Sequence, residues 1–266
     1  MDHISKLESQ SIFIIREAYK QFKKVAMLWS IGKDSTCLLW LIRKAFYGKI
    51  PFPVLHLDTG HKFKEIYQFR DEFAKKWDLN LIVYKNQEAI DKGVGPEKEK
   101  LACCTELKTN ALKKAIAENN FKAMYLGIRR DEHGVRAKER VFSPRDDEFE
   151  WNYKEQPPEL WDQYKTEVKG EGHLRIHPLL GWTEIDIWEY IKRDNIPTAS
   201  LYFAKDGKRY RSIGCQCCCG PVDSDADTID AIIKELKTTN VSERSGRAQD
   251  KESTYIMQKL RSLGYM

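Results

Sequence analysis

The sequence predicts an α/β protein built on a doubly wound, mostly parallel sheet, with an irregular C-terminal extension. Three observations carry that expectation. Short apolar runs alternate with amphipathic helical patterns over the first two-thirds of the chain, the order that parallel strands and crossover helices require. The 266 residues are enough for one large domain, or one with a small appendage. Hydrophobic residues make up 41% and charged residues 32%, ordinary for a chain that closes a core.

In order, "VAMLW" (25–29) is a short buried strand, and "STCLLWLIRKAF" (35–46) carries an apolar stripe at helical spacing. "PVLHLD" (53–58) is the second strand, followed by a helix over 64–77 and a third strand, "LNLIVYK" (79–85). A helix over 105–120 leads into a fourth strand, "AMYLGI" (123–128). The pattern then breaks. Residues 143–172 are rich in charge, aromatics and proline without a clean period, as in an active-site flap or an insertion. A helix resumes over 177–195 with Thr183 placed as its N-cap. A cysteine-rich stretch follows, then a helix over "TIDAIIKELKTT" and a polar, basic tail. The division is therefore a domain over 1–200 and a cysteine-bearing region over 201–266 packed on it.

The N-terminal stretch has acidic residues and a helical apolar period, unlike a signal peptide. No apolar run approaches the ~20 residues that span a bilayer. A cytoplasmic protein without a membrane partner is expected, and a homodimer is compatible with the sequence. The net charge of +5 permits a polyanionic partner without requiring one. Seven cysteines in a reducing compartment point away from a disulfide framework.

The chemistry begins at "SIGKDST", Ser30 to Thr36, where the first strand turns into a helix. Such a turn aims backbone N–H groups at an anion. The hydroxyls of Ser30, Ser35 and Thr36 add donors, and Lys33 adds charge for phosphate oxygens. Neither Walker A nor dinucleotide spacing is present, and an ordinary capped turn is the plain alternative. Asp58 and Thr59 end the second strand, while Arg129, Arg130 and Asp131 end the fourth. Strand carboxyl ends share one crevice in an open parallel sheet, so these loops converge on a nucleoside-triphosphate site. The acidic residues there are candidate oxygen ligands for Mg²⁺.

"SIGKDST" resembles the PP-loop of the N-type ATP pyrophosphatases, the superfamily of phosphoadenylyl-sulfate and adenylyl-sulfate reductases. Longer collinear stretches are similar to the small subunits of sulfate adenylyltransferase, among them "RKAFYGKIPFPVLHLDTGHKFKEIYQFRD", "RRDEHGVRAKERVFS", "WTEIDIWEYI" and "SERSGRAQD". The resemblance implies an adenine nucleotide α-hydrolase-like fold and an enzyme that cleaves ATP between its α and β phosphates. AMP then moves to an acceptor oxyanion and pyrophosphate leaves. It also implies that Ser30, Gly32, Asp34, Ser35 and Thr36 hold the nucleotide phosphates with Lys33. Asp58, Arg129 and Arg130 would orient nucleotide and acceptor.

Six of the seven cysteines fall in two groups, Cys103–Cys104 and Cys215, Cys217, Cys218, Cys219. A Cys-Cys pair followed after 110 residues by Cys-x-x-Cys resembles the arrangement that ligates a [4Fe–4S] cluster in adenylyl-sulfate reductases. Cys103, Cys104, Cys215 and Cys218 are the implied ligands. A Cys₄ zinc site, a metal-free persulfide relay and incidental turn cysteines are the alternatives, and Cys37 reads as a core residue. A reductase would carry a nucleophilic cysteine in its tail, and no cysteine follows Cys219.

The leading expectation is ATP-driven sulfur incorporation into nucleic acid, as in DNA phosphorothioation, with a cysteine desulfurase or other sulfur donor and DNA as partners. The runner-up is synthesis of adenylyl sulfate with a GTPase large subunit. A non-catalytic nucleotide-binding redox sensor is a third reading.

Overall fold

The computed structural model describes residues 1–247 apart from 98, 155, 157, 162, 167–169 and 171. The expected tail beyond 247, including the end of "SERSGRAQD", lies outside the described residues, as do those positions within 143–172.

Helix α1 (His3–Gln21) is N-capped by Asp2, whose carboxylate accepts from the Ser5 N–H at 2.9 Å. Strand β1 (Val25–Leu28), helix α2 (Lys33–Ala45), strand β2 (Val54–Leu57), helix α3 (Lys64–Lys76) and strand β3 (Leu81–Tyr84) follow. Two short helices, α4 (Gln87–Asp91) and α5 (Lys100–Cys104), precede a π-helical stretch over Thr105–Asn110, which continues as α6 (Ala111–Asn119). Strands β4 (Ala123–Leu126), β5 (Phe142–Arg145) and β6 (His173–Ile176) complete the sheet, ordered β3-β2-β1-β4-β6-β5. All neighbours are parallel except β5 and β6.

Both faces of this sheet are covered, and the strand period of two shows how. Val25 and Met27 of β1, with Ala123 and Tyr125 of β4, enter one buried cluster with α1 and α2. Ala26 and Leu28, with Met124 and Leu126, enter the other with α6. A strand apolar on both faces reads as a continuous apolar run, which is why β1, β2 and β4 were legible.

β5 and β6 were not. Residues 142–145 join the sheet as its antiparallel edge rather than starting an irregular insertion, and Pro144 is tolerated there because an edge strand can spare an N–H. Buried His173, Arg175 and Arg145 interrupt the apolar signal; Arg145 is paired with Glu139 at 2.9 Å. The expected helix over 177–195 is α7 (Glu184–Asp194), with Thr183 and Asp186 forming a reciprocal capping box. A hairpin of β7 (Lys208–Arg209) and β8 (Val222–Asp223) brackets the cysteine stretch, and α8 (Ile229–Leu236) follows. Tyr202, Ile213, Ala226 and Ile232 bury into the same cluster as Trp29 and Leu38, so these parts of the chain after 200 pack directly on the sheet domain. No helix among the described residues is long and apolar enough to cross a membrane.

Candidate active site

The strand order reverses direction between β1 and β4, and a cleft with about 830 Å³ of empty space opens at their carboxyl ends. This is where open α/β sheets bind ligands. Its floor is the β1–α2 turn. Ile31 sits at φ 66°, an outlier for a β-branched residue that persists only where packing over-determines it; its side chain is buried. Gly32 is the N-cap of α2, and no side chain caps that helix. The capped-turn alternative is therefore not what forms. The Ser30 and Ser35 hydroxyls lie 3.0 Å apart, and Ser35 Oγ also donates to the Gly32 carbonyl at 3.0 Å. Ser30, Gly32 and Ser35 line the cleft together, a pair of hydroxyls beside a helix N-terminus, which suits an anion.

Gly127, directly after β4, sets the depth of this cradle. A Cβ there would lie 2.9 Å from the Ser35 backbone N and Cα, so only glycine lets β4 approach the first turn of α2. Sequence reading passed over it.

Other expected residues sit differently. Lys33 does not present a free charge to phosphate: its side chain is 1% exposed, and its ammonium bonds Glu243 and the Arg211 carbonyl (3.2 Å), with Asp34 at 3.4 Å. Its backbone N–H donates to the Tyr202 hydroxyl at 2.8 Å. Arg129 is buried, its Nε 2.8 Å from Asp34 and its Nη2 on Glu243. Burial alone would raise the Glu243 carboxyl, but Arg129 and Lys33 outweigh it and hold it down at about 2. The same carboxylates raise Lys33 against the cost of burying it. Glu184 completes the group: its carboxylate pairs with Arg211 at 2.6 Å, and burial and the Glu243 charge raise it. Lys33, Asp34, Arg129, Glu184 and Glu243 thus form one buried charge network under the cradle.

Three more assignments are corrected. Thr36 is in the core, its hydroxyl accepting from the Trp29 indole at 3.2 Å. Arg130 is solvent-exposed and outside the cleft lining. Asp58 is also outside that lining, its oxygens taken by the Gly60 N–H (2.9 Å), the Tyr67 hydroxyl (2.7 Å) and Lys85 (3.1 Å). Burial raises its carboxyl, and these partners lower it further than burial lifts it. Asp34 and Asp58 are both spent on protein partners, so neither is a ready Mg²⁺ ligand.

The fold brings the two cysteine groups into one neighbourhood. Cys103, Cys104, Cys215 and Cys218 are buried, and Cys217 is exposed. Cys103 feels the charges of Cys104, Cys215 and Cys218; burial first, then these neighbours, raise it to about 11. Burial likewise raises Cys218 to about 12. Cys215 is the exception: Lys108 and Lys62 lower it against burial, helped by Thr59, whose hydroxyl is 3.2 Å from its sulfur. The Cys104 sulfur is 3.9 Å from the Lys108 ammonium, and the Cys219 sulfur accepts from the Gly214 N–H (3.0 Å) and Arg247 (2.9 Å). Among the described residues no three His, Cys, Asp or Glu side chains are arranged to hold a metal ion. The expected cluster ligands Cys103, Cys104, Cys215 and Cys218 therefore do not form a ligand set in this arrangement.

Sequence reading also missed the far side of the charge balance. Among the described residues, Lys62, Lys108, Arg136, Arg244 and Arg247 line the cleft with only Glu132 and Asp34 as carboxylates. Glu132 pairs with Arg136 and, at 3.2 Å, with Arg244. Burial, with the charges of Lys108 and Arg247, depresses the Lys62 ammonium despite the pull of Cys215.

A switch-point cleft with a hydroxyl-lined helix N-terminus defines a PP-loop enzyme of the adenylyl-transferring class. The family model described as phosphoadenosine phosphosulfate reductase domain matches residues 24–221, and the chain belongs to that family. It is 44% identical to a sulfate adenylyltransferase subunit 2 of Bacteroides fragilis, the alignment covering 100% of this chain and 98% of that protein. The subunit 2 of Psychromonas ingrahamii is 42% identical with the same coverage. In fold the chain resembles the phosphoadenylyl-sulfate reductase of Candida auris (TM-score 0.56, 18% identity, 83% of this chain and 96% of that one). It also resembles the FMN adenylyltransferase of Candida glabrata (TM-score 0.59, 17% identity, 99% and 84%). The architecture is thus adenine nucleotide α-hydrolase-like.

Proposed function

We propose that this protein adenylylates sulfate, as the small subunit of a sulfate adenylyltransferase working with a GTPase large subunit. The observation that carries this reading is the 44% identity over the whole chain to a protein of that name. A sulfate oxygen attacks the α-phosphorus of ATP, the new P–O bond forms as the bond to the bridging oxygen breaks, and pyrophosphate departs with the electron pair. Charge grows on pyrophosphate as it leaves, so donors fixed before reaction stabilise the transition state. Ser30, Gly32 and Ser35 are the group proposed to hold it. Asp34, Lys33 and Arg129 act from beneath, fixing the first turn of α2. Mg²⁺ bound with the nucleotide would spread the phosphate charge.

Sulfur incorporation into nucleic acid, the leading expectation from sequence, becomes the second reading. The convergence of Cys103 with Cys215 and Cys218 is what favours it. One assay separates the two. Pyrophosphate release from ATP by the full chain, with its partner subunit, is expected to depend on sulfate. Release that ignores sulfate and instead requires DNA and a cysteine desulfurase would reverse the ranking.

A further inference from the structure

The cations of the cleft are not equally provided for. Lys33 is neutralised by Glu243 and Asp34, and Arg136 and Arg244 share Glu132. Arg247 is fixed by the Ile213 carbonyl at 2.9 Å, the Ser212 hydroxyl at 3.0 Å and the Cys219 sulfur. Lys108 faces the Cys104 sulfur. Lys62 is different. It lines the cleft, it is half-buried, and its ammonium makes no hydrogen bond or ion pair to the described residues. The charges that reach it are two like charges, Lys108 and Arg247, and two thiols, Cys215 and Cys219.

Like charges do not gather in a sheltered pocket without compensation, because each loses hydration and repels the others. The fold enforces this gathering from three separate places. Lys62 is pinned by the bridge of its backbone to Cys215 and by its N–H to the Tyr67 hydroxyl. Lys108 lies in the π-helical stretch, a distortion that recurs at functional sites. Arg247 can cross the cysteine loop because Gly214 leaves room: a Cβ there would stand 1.9 Å from its Nη1. Such an arrangement is stable when an anion completes it.

We propose that Lys62, flanked by Lys108 and Arg247, is the subsite for a free tetrahedral oxyanion, the acceptor of the adenylyl group, distinct from the hydroxyl-lined cradle for the nucleotide phosphates. The assignment of that anion as sulfate rests on the function proposed above; the existence of the subsite does not. Lys62 carries acceptor binding as a point charge, so an arginine at this position keeps the function and a methionine loses it.

The test is equilibrium binding of radiolabelled sulfate, inorganic phosphate and a non-hydrolysable ATP analogue to the full chain, as wild type, Lys62→Met and Lys62→Arg. Thermal midpoints are followed alongside. The expected result is at least a tenfold loss of sulfate affinity in Lys62→Met, with ATP-analogue affinity changed less than twofold and Lys62→Arg close to wild type. Sulfate should raise the midpoint of wild type but not of Lys62→Met, whose midpoint without anion should be no lower than wild type. Sulfate affinity unchanged in Lys62→Met overturns the proposal. An equal fall for sulfate and the ATP analogue also overturns it, by moving Lys62 to the nucleotide cradle. Wild type that takes phosphate but not sulfate, through Lys62, keeps the subsite and removes the sulfate reading. Wild type that binds no oxyanion removes the subsite itself.

Discussion

The cleft has two kinds of lining, and they are made in opposite ways. The cradle comes from one contiguous turn, Ser30 to Ser35, and works through hydroxyls and a helix N-terminus that carry no net charge. The cationic lining comes from Lys62, Lys108, Arg136, Arg244 and Arg247, which no local motif links. The difference teaches where each part gets its precision. The turn inherits its geometry from the sheet beneath it, through the contact of Gly127 with Ser35. The cations come from separate segments with separate anchors, Arg136 and Arg244 on Glu132 and Arg247 on the cysteine loop, so each depends on contacts made far along the chain.

The largest effect is expected beneath the cradle, where Glu243 clamps Lys33 and Arg129. Glu243→Gln leaves Lys33 and Arg129 buried without their shared carboxylate, which should cost about 3 kcal/mol of stability by chemical denaturation. The pH dependence follows from the same contact. The carboxyl is held at about 2, below its ordinary 4.5, so its contribution is complete above pH 4.5 and is lost as pH falls towards 2. The stability gap between wild type and variant should therefore narrow over that window. A gap independent of pH would mean that Glu243 acts by packing alone.

The cradle should respond to smaller changes, and in activity more than stability. Ser35→Ala is expected to lower pyrophosphate release roughly 100-fold while the thermal midpoint stays near wild type. Gly127→Ala should impair release as well and also lower the midpoint, because the added carbon displaces the helix itself. If Ser35→Ala lowered stability as much as Gly127→Ala, the hydroxyl would belong to the scaffold. The smallest effect is expected at the exposed thiol: Cys217→Ser should leave pyrophosphate release within about twofold, as surface substitutions usually do. A large loss would return the cysteines to the centre of the chemistry.

Much of the sheet domain was legible because β1, β2 and β4 are uniformly buried and their turns contiguous. "SIGKDST" was legible for the same reason. Lys33 was read as a phosphate ligand because a lysine at a helix start beside serines ordinarily faces an anion. Its partner Glu243 is 210 positions away, and nothing local announces it. The stretch "SERSGRAQD" contained that partner, and the resemblance singled it out without saying what it touches. Thr36 and Arg130 were placed by proximity along the chain, whereas helical phase turns Thr36 towards Trp29, and Arg130 sits on a bend after β4 that leaves it in solvent. Lys62 and Lys108 were not singled out, because their enclosure depends on loops that meet only in three dimensions.

The clamp of Glu243 on Lys33 and Arg129 also has a consequence for biogenesis. Strands and helices up to β4 can form as they are synthesised, since domains fold progressively during translation. The floor of the cleft cannot be finished then, because two of its cations wait for a carboxylate that is added after some nine-tenths of the chain has been made. A nascent or prematurely terminated chain lacking residue 243 would hold a sheet whose buried charge network is incomplete. Lys33 and Arg129 would then keep Asp34 but lack the carboxylate they share, so the charge network under the cradle is completed only late in synthesis.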